Sequence, residues 1–91
     1  MLILPAEITH AHARASVRML EQALAGEGAA TAVVADASPL LKFDSSALAV
    51  LLECRRSVLA TGKTFSVRAL PPRLRSLAVL YGVGELLPAV P

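Results

Sequence analysis

The sequence predicts one small α/β domain in which helices pack on a central sheet. Strand-like and helix-like segments alternate along the whole chain as β-α-β-α-β-α, the pattern of a sheet covered by helices. The longest helix-like segment has its own start signal, at residues 44–46, and its own stop signal, at Gly62. A chain of 91 residues has room for one modest core, so we expect residues 1–91 to form a single domain.

The composition predicts an aliphatic core with apolar surface to spare for a partner. Hydrophobic residues make up 55% of the chain, but aromatic residues only 3%. No apolar run approaches the ~20 residues that span a bilayer. The apolar start of the chain follows no basic segment, so no signal peptide is expected. The single cysteine, Cys54, excludes an internal disulfide and is typical of a reducing cytoplasm.

The first half of the chain predicts two strands and one helix. Residues 2–7 read as a short strand in which Pro5 fits only at an edge or a bulge. Thr9 is a plausible cap for a helix over about residues 10–25. The core-facing side of that helix holds Val17, Leu20 and Leu24. Residues 31–36 form a continuous apolar run, which is typical of a strand buried on both faces of a parallel sheet.

The second half predicts two more helices and one strand. The helix that ends at Gly62 has a core-facing side and a second apolar shoulder. The core-facing side holds Ala47, Leu51, Cys54 and Val58, and the shoulder holds Leu48, Leu52 and Leu59 with Arg55 among them. Residues 64–69 alternate as a half-buried strand. Pro71 and Pro72 open a third helix, which Gly82 closes. Its predicted apolar face is Leu70, Leu74, Leu77, Ala78 and Tyr81, and residues 85–87 add a last turn.

Three polar residues directly precede the apolar run of the second helix: Asp44, Ser45 and Ser46. Any of them can cap the free backbone N–H groups of the first helical turn. A hydroxyl held there, behind a carboxylate and at the positive end of a helix dipole, also suits an anion, including a phosphate on the serine itself. From the residues alone, capping is the commoner role.

Two segments of the chain resemble STAS domains, which occur in sulfate transporters and anti-sigma factor antagonists. Residues 44–52 read DSSALAVLL and resemble the family signature Asp-Ser-Ser-Gly-Leu-Gly-Val-Leu-Leu, which follows a strand ending in aspartate, as residues 33–36 do here. Residues 76–88 read SLAVLYGVGELLP and resemble the C-terminal end of MlaB-like STAS subunits of the bacterial Mla phospholipid transporter. The resemblance implies the STAS fold, here a small central mixed sheet with helices packed on it and without the first strand of the usual N-terminal hairpin.

The resemblance implies two alternative functions, both of which depend on binding another protein. One is a non-catalytic accessory subunit that binds and regulates the ATPase of an Mla-type phospholipid ABC transporter, which maintains outer-membrane lipid asymmetry. The other is an anti-sigma factor antagonist that binds a serine kinase or anti-sigma factor and is switched by phosphorylation of Ser45. The expected location is the cytoplasm, and in the first case the inner membrane, reached only through the transporter complex.

The predicted contact surface combines the polar residues 44–46, which we call the serine loop, with the apolar shoulder of the following helix. Its residues are Asp44, Ser45, Ser46, Leu48, Leu52 and Arg55. An apolar shoulder either docks into a groove of a larger protein or packs against the third helix, and we expect some of each.

Catalysis is not expected. No motif places a histidine beside Ser45, and the chain has neither a Gly-rich phosphate loop nor metal-ligand spacing, so no metal and no cofactor are predicted. The net charge is +2, with the cations crowded in the second half, but without any nucleic-acid motif. A solvated basic face or an acidic protein partner is therefore expected instead. The missing strand would uncover a sheet edge, on which a homodimer could also form.

Overall fold

A computed structural model describes residues 1–90 of the chain. The structure has five strands and three helices. They are β1 (Leu2–Ile3), β2 (Glu7–Ile8), α1 (Ala13–Ala25), β3 (Ala32–Asp36), β4 (Lys42–Phe43), α2 (Ser46–Ala60), β5 (Thr64–Arg68) and α3 (Pro72–Leu80). They follow the predicted alternation except for two additional two-residue strands, β2 and β4. Single 3-10 turns precede α1 (His10–His12) and follow α3 (Gly84–Leu86). No helix among residues 1–90 is both long and apolar enough to cross a membrane.

The main sheet has three strands in the order β1-β3-β5, and β2 pairs with β4 in a separate ribbon. Every one of these pairings is parallel, so the mixed sheet that we predicted is wrong for residues 1–90. The predicted strand over residues 2–7 is also interrupted, because Pro5 has no N–H to donate to a ladder.

The helices cover one face of the main sheet. Side chains that share this face across the three strands are buried: Leu2, Val33, Ala35, Phe65 and Val67. On the opposite face Ile3 is 53% exposed and Val34 is only half-buried. The prediction that residues 31–36 are buried on both faces is therefore wrong. An apolar run in the sequence shows that a strand is central, but it does not show how many helix layers cover it.

The open edge of β1 is short. The Leu4 N–H donates to the Asp36 carbonyl at 2.9 Å, and the register pairs Ile3 with Asp36. Because the backbone groups of successive residues in a strand point to alternate sides, the N–H and C=O groups of Ile3 point away from β3. Pro5 follows directly and cannot donate. The edge on which a homodimer could form therefore offers a ladder of about one residue, and short edges of this kind are one way in which natural sheets avoid edge-to-edge pairing.

The opposite edge of the sheet is closed by the end of the described chain. The Val67 N–H donates to the Pro88 carbonyl at 2.8 Å, and the Val90 N–H donates to the Val67 carbonyl at 3.1 Å. The guanidinium of Arg75 holds this segment by donating to the Leu87 carbonyl at 2.7 Å, and the Leu87 side chain is fully buried. A residue of α3 thus fixes the segment that covers β5.

Helix α2 packs on the sheet and alongside α1. All four residues of its predicted core-facing side are buried, which confirms that face. Val50, which we had not assigned, is 1% exposed, because α1 lies beside α2 and covers a second side of the helix. Leu20 of α1 is buried as predicted, and Val17 and Leu24 are partly buried against the same core.

Helix α3 buries a narrower face than predicted. Leu74 and Ala78 are fully buried, and Leu70 and Leu77 are partly buried against the core. Tyr81 is 58% exposed, so its assignment to the apolar face is wrong. The helix ends at Leu80, the Tyr81 N–H still donates to the Leu77 carbonyl at 3.0 Å, and Gly82 then turns the chain with a φ of 74°.

Two leucines of α3 give a matched test of this packing. We expect Leu74→Ala to lower the free energy of unfolding by about 2–5 kcal/mol, because it leaves a cavity in the core. Leu80 is 75% exposed, so Leu80→Ala should change stability by no more than about 0.5 kcal/mol. Urea unfolding of both variants measures the two effects, and equal losses would contradict the described orientation of α3.

Candidate partner-binding site

The site is built on the carboxylate of Asp44, which joins the starts of two helices. One oxygen, Oδ1, accepts a hydrogen bond from the Ser46 N–H at 2.8 Å, and the other, Oδ2, accepts one from the His10 N–H at 3.0 Å. Ser46 begins α2 and His10 begins the turn that leads into α1. Asp44 therefore fixes the serine loop to a segment 34 residues earlier in the chain.

The geometry decides which of the three polar residues is the cap. Ser45 already has helical dihedral angles, with φ −61° and ψ −18°, and its side chain makes no capping hydrogen bond. A capping residue lies just outside the helix and accepts from the N–H two or three positions on, as Asp44 does. Asp44 is thus the cap, which leaves the exposed hydroxyl of Ser45 free of that task.

The start of α2 has few amides left for an external anion. The Ser46 N–H is bonded to the Asp44 carboxylate, the Ala47 N–H to the Asp44 carbonyl at 3.0 Å, and the Leu48 N–H to the Ser45 carbonyl at 3.1 Å. The predicted anion position at this helix start is therefore largely filled by Asp44 itself. A charge added to Ser45 would point outwards, beside a carboxylate, rather than into the helix end.

The hydrogen bonds of Asp44 also set its protonation. The hydrogen bond from the His10 backbone N–H is the main reason why the pKa of the Asp44 carboxyl is lower than usual, and the hydrogen bond from the Ser46 N–H is the second. Asp36, at the end of β3, is held in the same way: the Ser38 N–H donates to its carboxylate at 3.0 Å and lowers its pKa. Both carboxylates therefore keep their negative charge to a lower pH than an ordinary aspartate does, and that of Asp44 lies at the start of α2.

The shoulder of α2 divides into a buried part and an exposed part. Leu48 is 3% exposed and belongs to the core, so it does not contribute to a surface. Leu52 and Arg55 are half-buried, and Leu59 is 42% exposed. At 100° per residue, Ser45, Leu52 and Leu59 lie within about 40° of one another, with Ala49 and Arg56 alongside. We call these five residues the α2 stripe.

Three neighbours of the serine loop were not found from the sequence. The His10 backbone contacts Asp44, the Arg73 guanidinium lies over the Phe43 ring at 5.3 Å from its centre, and Leu41 is 82% exposed. Pairing of β2 with β4 brings Glu7 near Lys42, with 3.8 Å between Oε1 and Nζ. Local sequence patterns carry no signal for contacts that are made only when distant segments meet.

Two further observations concern the chemical groups elsewhere in residues 1–90. Burial raises the pKa of the Cys54 thiol to about 11, which keeps it protonated and unreactive. Within the described part of the chain, no three histidine, cysteine, aspartate or glutamate side chains are grouped closely enough to hold a metal ion. The arrangement at the serine loop is that of a rigid corner with an outward hydroxyl, which suits recognition by another protein.

Asp44 gives a pH-dependent stability that can be measured. Its pKa is lowered in the folded chain, so its stabilising contribution is complete above the usual value of 3.8 and is lost as the pH falls through the lowered one. We expect Asp44→Ala to be less stable than the wild type at about pH 7, and we expect the difference to shrink as the pH falls below 3.8. Denaturant unfolding across this range tests it, with Glu53→Gln as a control. An unchanged difference at low pH would contradict the described bonds.

The sequence was compared with known protein families and with curated proteins. A family model described as the MlaB STAS domain matches residues 1–88. No curated protein matches the chain. The match spans almost the whole chain and includes both segments on which the resemblance was based, and the α/β arrangement of the structure agrees with it. The chain therefore belongs to the family of MlaB-like STAS domains.

Proposed function

We propose that the protein is a non-catalytic subunit that binds and regulates the ATPase of an Mla-type phospholipid ABC transporter. The observation that carries this proposal is the α2 stripe, which starts at the outward Ser45 hydroxyl and continues through the exposed side of one rigid helix. A helix face of this kind fits a groove of a larger protein. Membership of the MlaB-like family supplies the choice of partner.

In this proposal the domain acts by position rather than by chemistry. Asp44 fixes the loop to α1 and to α2, so the contact surface is pre-formed and little entropy is lost when it docks. The partner supplies the nucleotide site. Binding would stabilise the ATPase in one conformation and thereby tune the transporter that maintains outer-membrane lipid asymmetry. The protein would then be cytoplasmic and held at the inner membrane through this complex.

A second candidate function is favoured by one observation, the outward hydroxyl of Ser45. An anti-sigma factor antagonist needs a serine that a kinase can reach, and Ser45 is exposed and is not used as the cap. This function predicts a serine kinase or anti-sigma factor as the partner. Mass spectrometry of the protein from cells grown under several conditions tests it, and a Ser45 without phosphate in all of them argues against a switch.

A charge at Ser45 should remove docking without unfolding the domain. Ser45→Glu places a carboxylate at the start of the α2 stripe and next to Asp44, so we expect binding to the purified ATPase to weaken at least about tenfold, or ~1.4 kcal/mol. Isothermal titration calorimetry measures the affinity. The fold should persist, because the Ser45 side chain makes no capping bond.

The matched control is Ser76→Glu, which adds the same charge to an exposed serine of α3. We expect this variant to bind like the wild type. Equal weakening by both variants would show that net charge, rather than the serine loop, governs binding. A wild-type protein that does not bind the ATPase would overturn the proposed function, and recovery of a kinase or anti-sigma factor from cell extract would favour the second candidate.

A further inference from the structure

A groove runs between α1 and α2 at the end where both helices begin. Its α1 wall is made of His10, Ala13, Arg14 and Val17, and its α2 wall is made of Ala49, Val50 and Glu53. The floor is apolar: Val50 is buried and Val17 is partly buried against the core. The groove exists because small residues, Ala13 and Ala49, face each other where larger side chains would close the gap between the helices.

The groove adjoins the serine loop through two residues. His10 lines the groove and donates its backbone N–H to the Asp44 carboxylate. Ala49 lines it and also lies one turn beyond Ser45 on the α2 stripe. A protein that contacts Ser45 and the α2 stripe therefore lies directly beside the groove. Both walls are fixed by the Asp44 hydrogen bonds, so the groove is pre-formed.

The rim of the groove has charges of opposite sign on its two walls. Arg14 is exposed on the α1 wall and makes no ion pair with any residue of 1–90. Glu53 is exposed on the α2 wall and lies 3.8 Å from Arg56, one turn along the same helix. The α1 wall thus presents an unpaired cation, whereas the anion of the α2 wall already has a partner. An apolar side chain that is accompanied by a carboxylate on the α1 side complements this arrangement.

We infer that this groove, which we call the α1–α2 groove, receives an apolar side chain of the ATPase partner with a neighbouring carboxylate directed at Arg14. The inference rests on the proposed function and adds a second contact to the α2 stripe. The apolar side chain replaces water over the floor of the groove, and the carboxylate pairs with a guanidinium that is otherwise free. Buried apolar anchors of this type carry most of the affinity in protein interfaces.

Filling the groove tests this inference without changing the serine loop. We expect Ala13→Trp to weaken binding of the purified ATPase at least about tenfold, because the indole fills the anchor position from the α1 wall, outside the α2 stripe. The control is Ala15→Trp, which makes the same change on an exposed alanine of α1. Ala15 lies about 200° around the helix from Ala13 and so points away from the groove. This control should bind within about threefold of the wild type.

Charge reversal on the α1 wall is the second test. We expect Arg14→Glu to weaken binding by about fivefold at low salt and by less at high salt, because the pair with the partner carboxylate is screened. Arg18→Glu makes the same change one turn along α1, outside the groove, and should have an effect of no more than about twofold. Circular dichroism and urea unfolding confirm that all four variants are folded.

The outcomes separate this inference from the proposed function. A wild-type protein that does not bind the ATPase overturns both. Binding that persists in Ala13→Trp, or that is lost equally in Ala15→Trp, overturns the groove contact alone. Self-association of the wild type that Ala13→Trp abolishes, measured by analytical ultracentrifugation, would also overturn the inference, since the occupant would then be a second copy of this chain.

Discussion

The two hydrogen bonds accepted by the Asp44 carboxylate define the surface that this domain presents. They join the first turn of α2 to the residues that lead into α1. A neutral side chain of similar size would satisfy at most one of the two N–H groups as an acceptor. The charged carboxylate satisfies both, and charge-assisted hydrogen bonds are stronger than neutral ones. The position of Ser45 and the shape of the α1–α2 groove both depend on this one group.

The use of Asp44 as the cap explains how a serine can remain available at a helix start. Polar side chains at such positions are usually consumed by the backbone N–H groups of the first turn. Here Asp44 accepts the hydrogen bond from the helix start, and Ser45 adopts helical dihedral angles. Its hydroxyl therefore faces outwards from a rigid corner, where a partner can recognise it or a kinase can modify it.

The distribution of apolar surface fits a domain that works beside another protein. The core is mostly aliphatic, with Phe65 as a buried aromatic side chain, and it lies on one side of the sheet. The segment that follows α3 covers the β5 edge. Exposed apolar side chains remain on the α2 stripe, at Leu41 and at the end of α3, where Val79 is 67% exposed and Leu80 is 75% exposed. These apolar side chains are not buried by the domain's own core, and exposed apolar patches of this kind are typical of sites that contact another molecule.

Local sequence patterns predicted the elements well, because these elements are set by short-range chemistry. Helix periodicity identified the core-facing side of α2, glycine with a positive φ marked the ends at Gly62 and Gly82, and adjacent prolines marked the start of α3. The strand over residues 64–69 was found to within one residue. The family resemblance, carried by residues 44–52 and 76–88, agrees with the family match over residues 1–88.

Tertiary structure alone decided which surfaces those elements expose and which distant groups meet. The burial of Leu48 and Val50 depends on what lies beside α2, and Tyr81 is exposed at the end of α3. The contact of His10 with Asp44, and the groove between Ala13 and Ala49, join segments more than 30 residues apart. By itself the sequence determined the kind of each element and the family of the chain, because propensity, capping and periodicity act within one or two turns. The site needed the fold, because its neighbours are brought together only by packing.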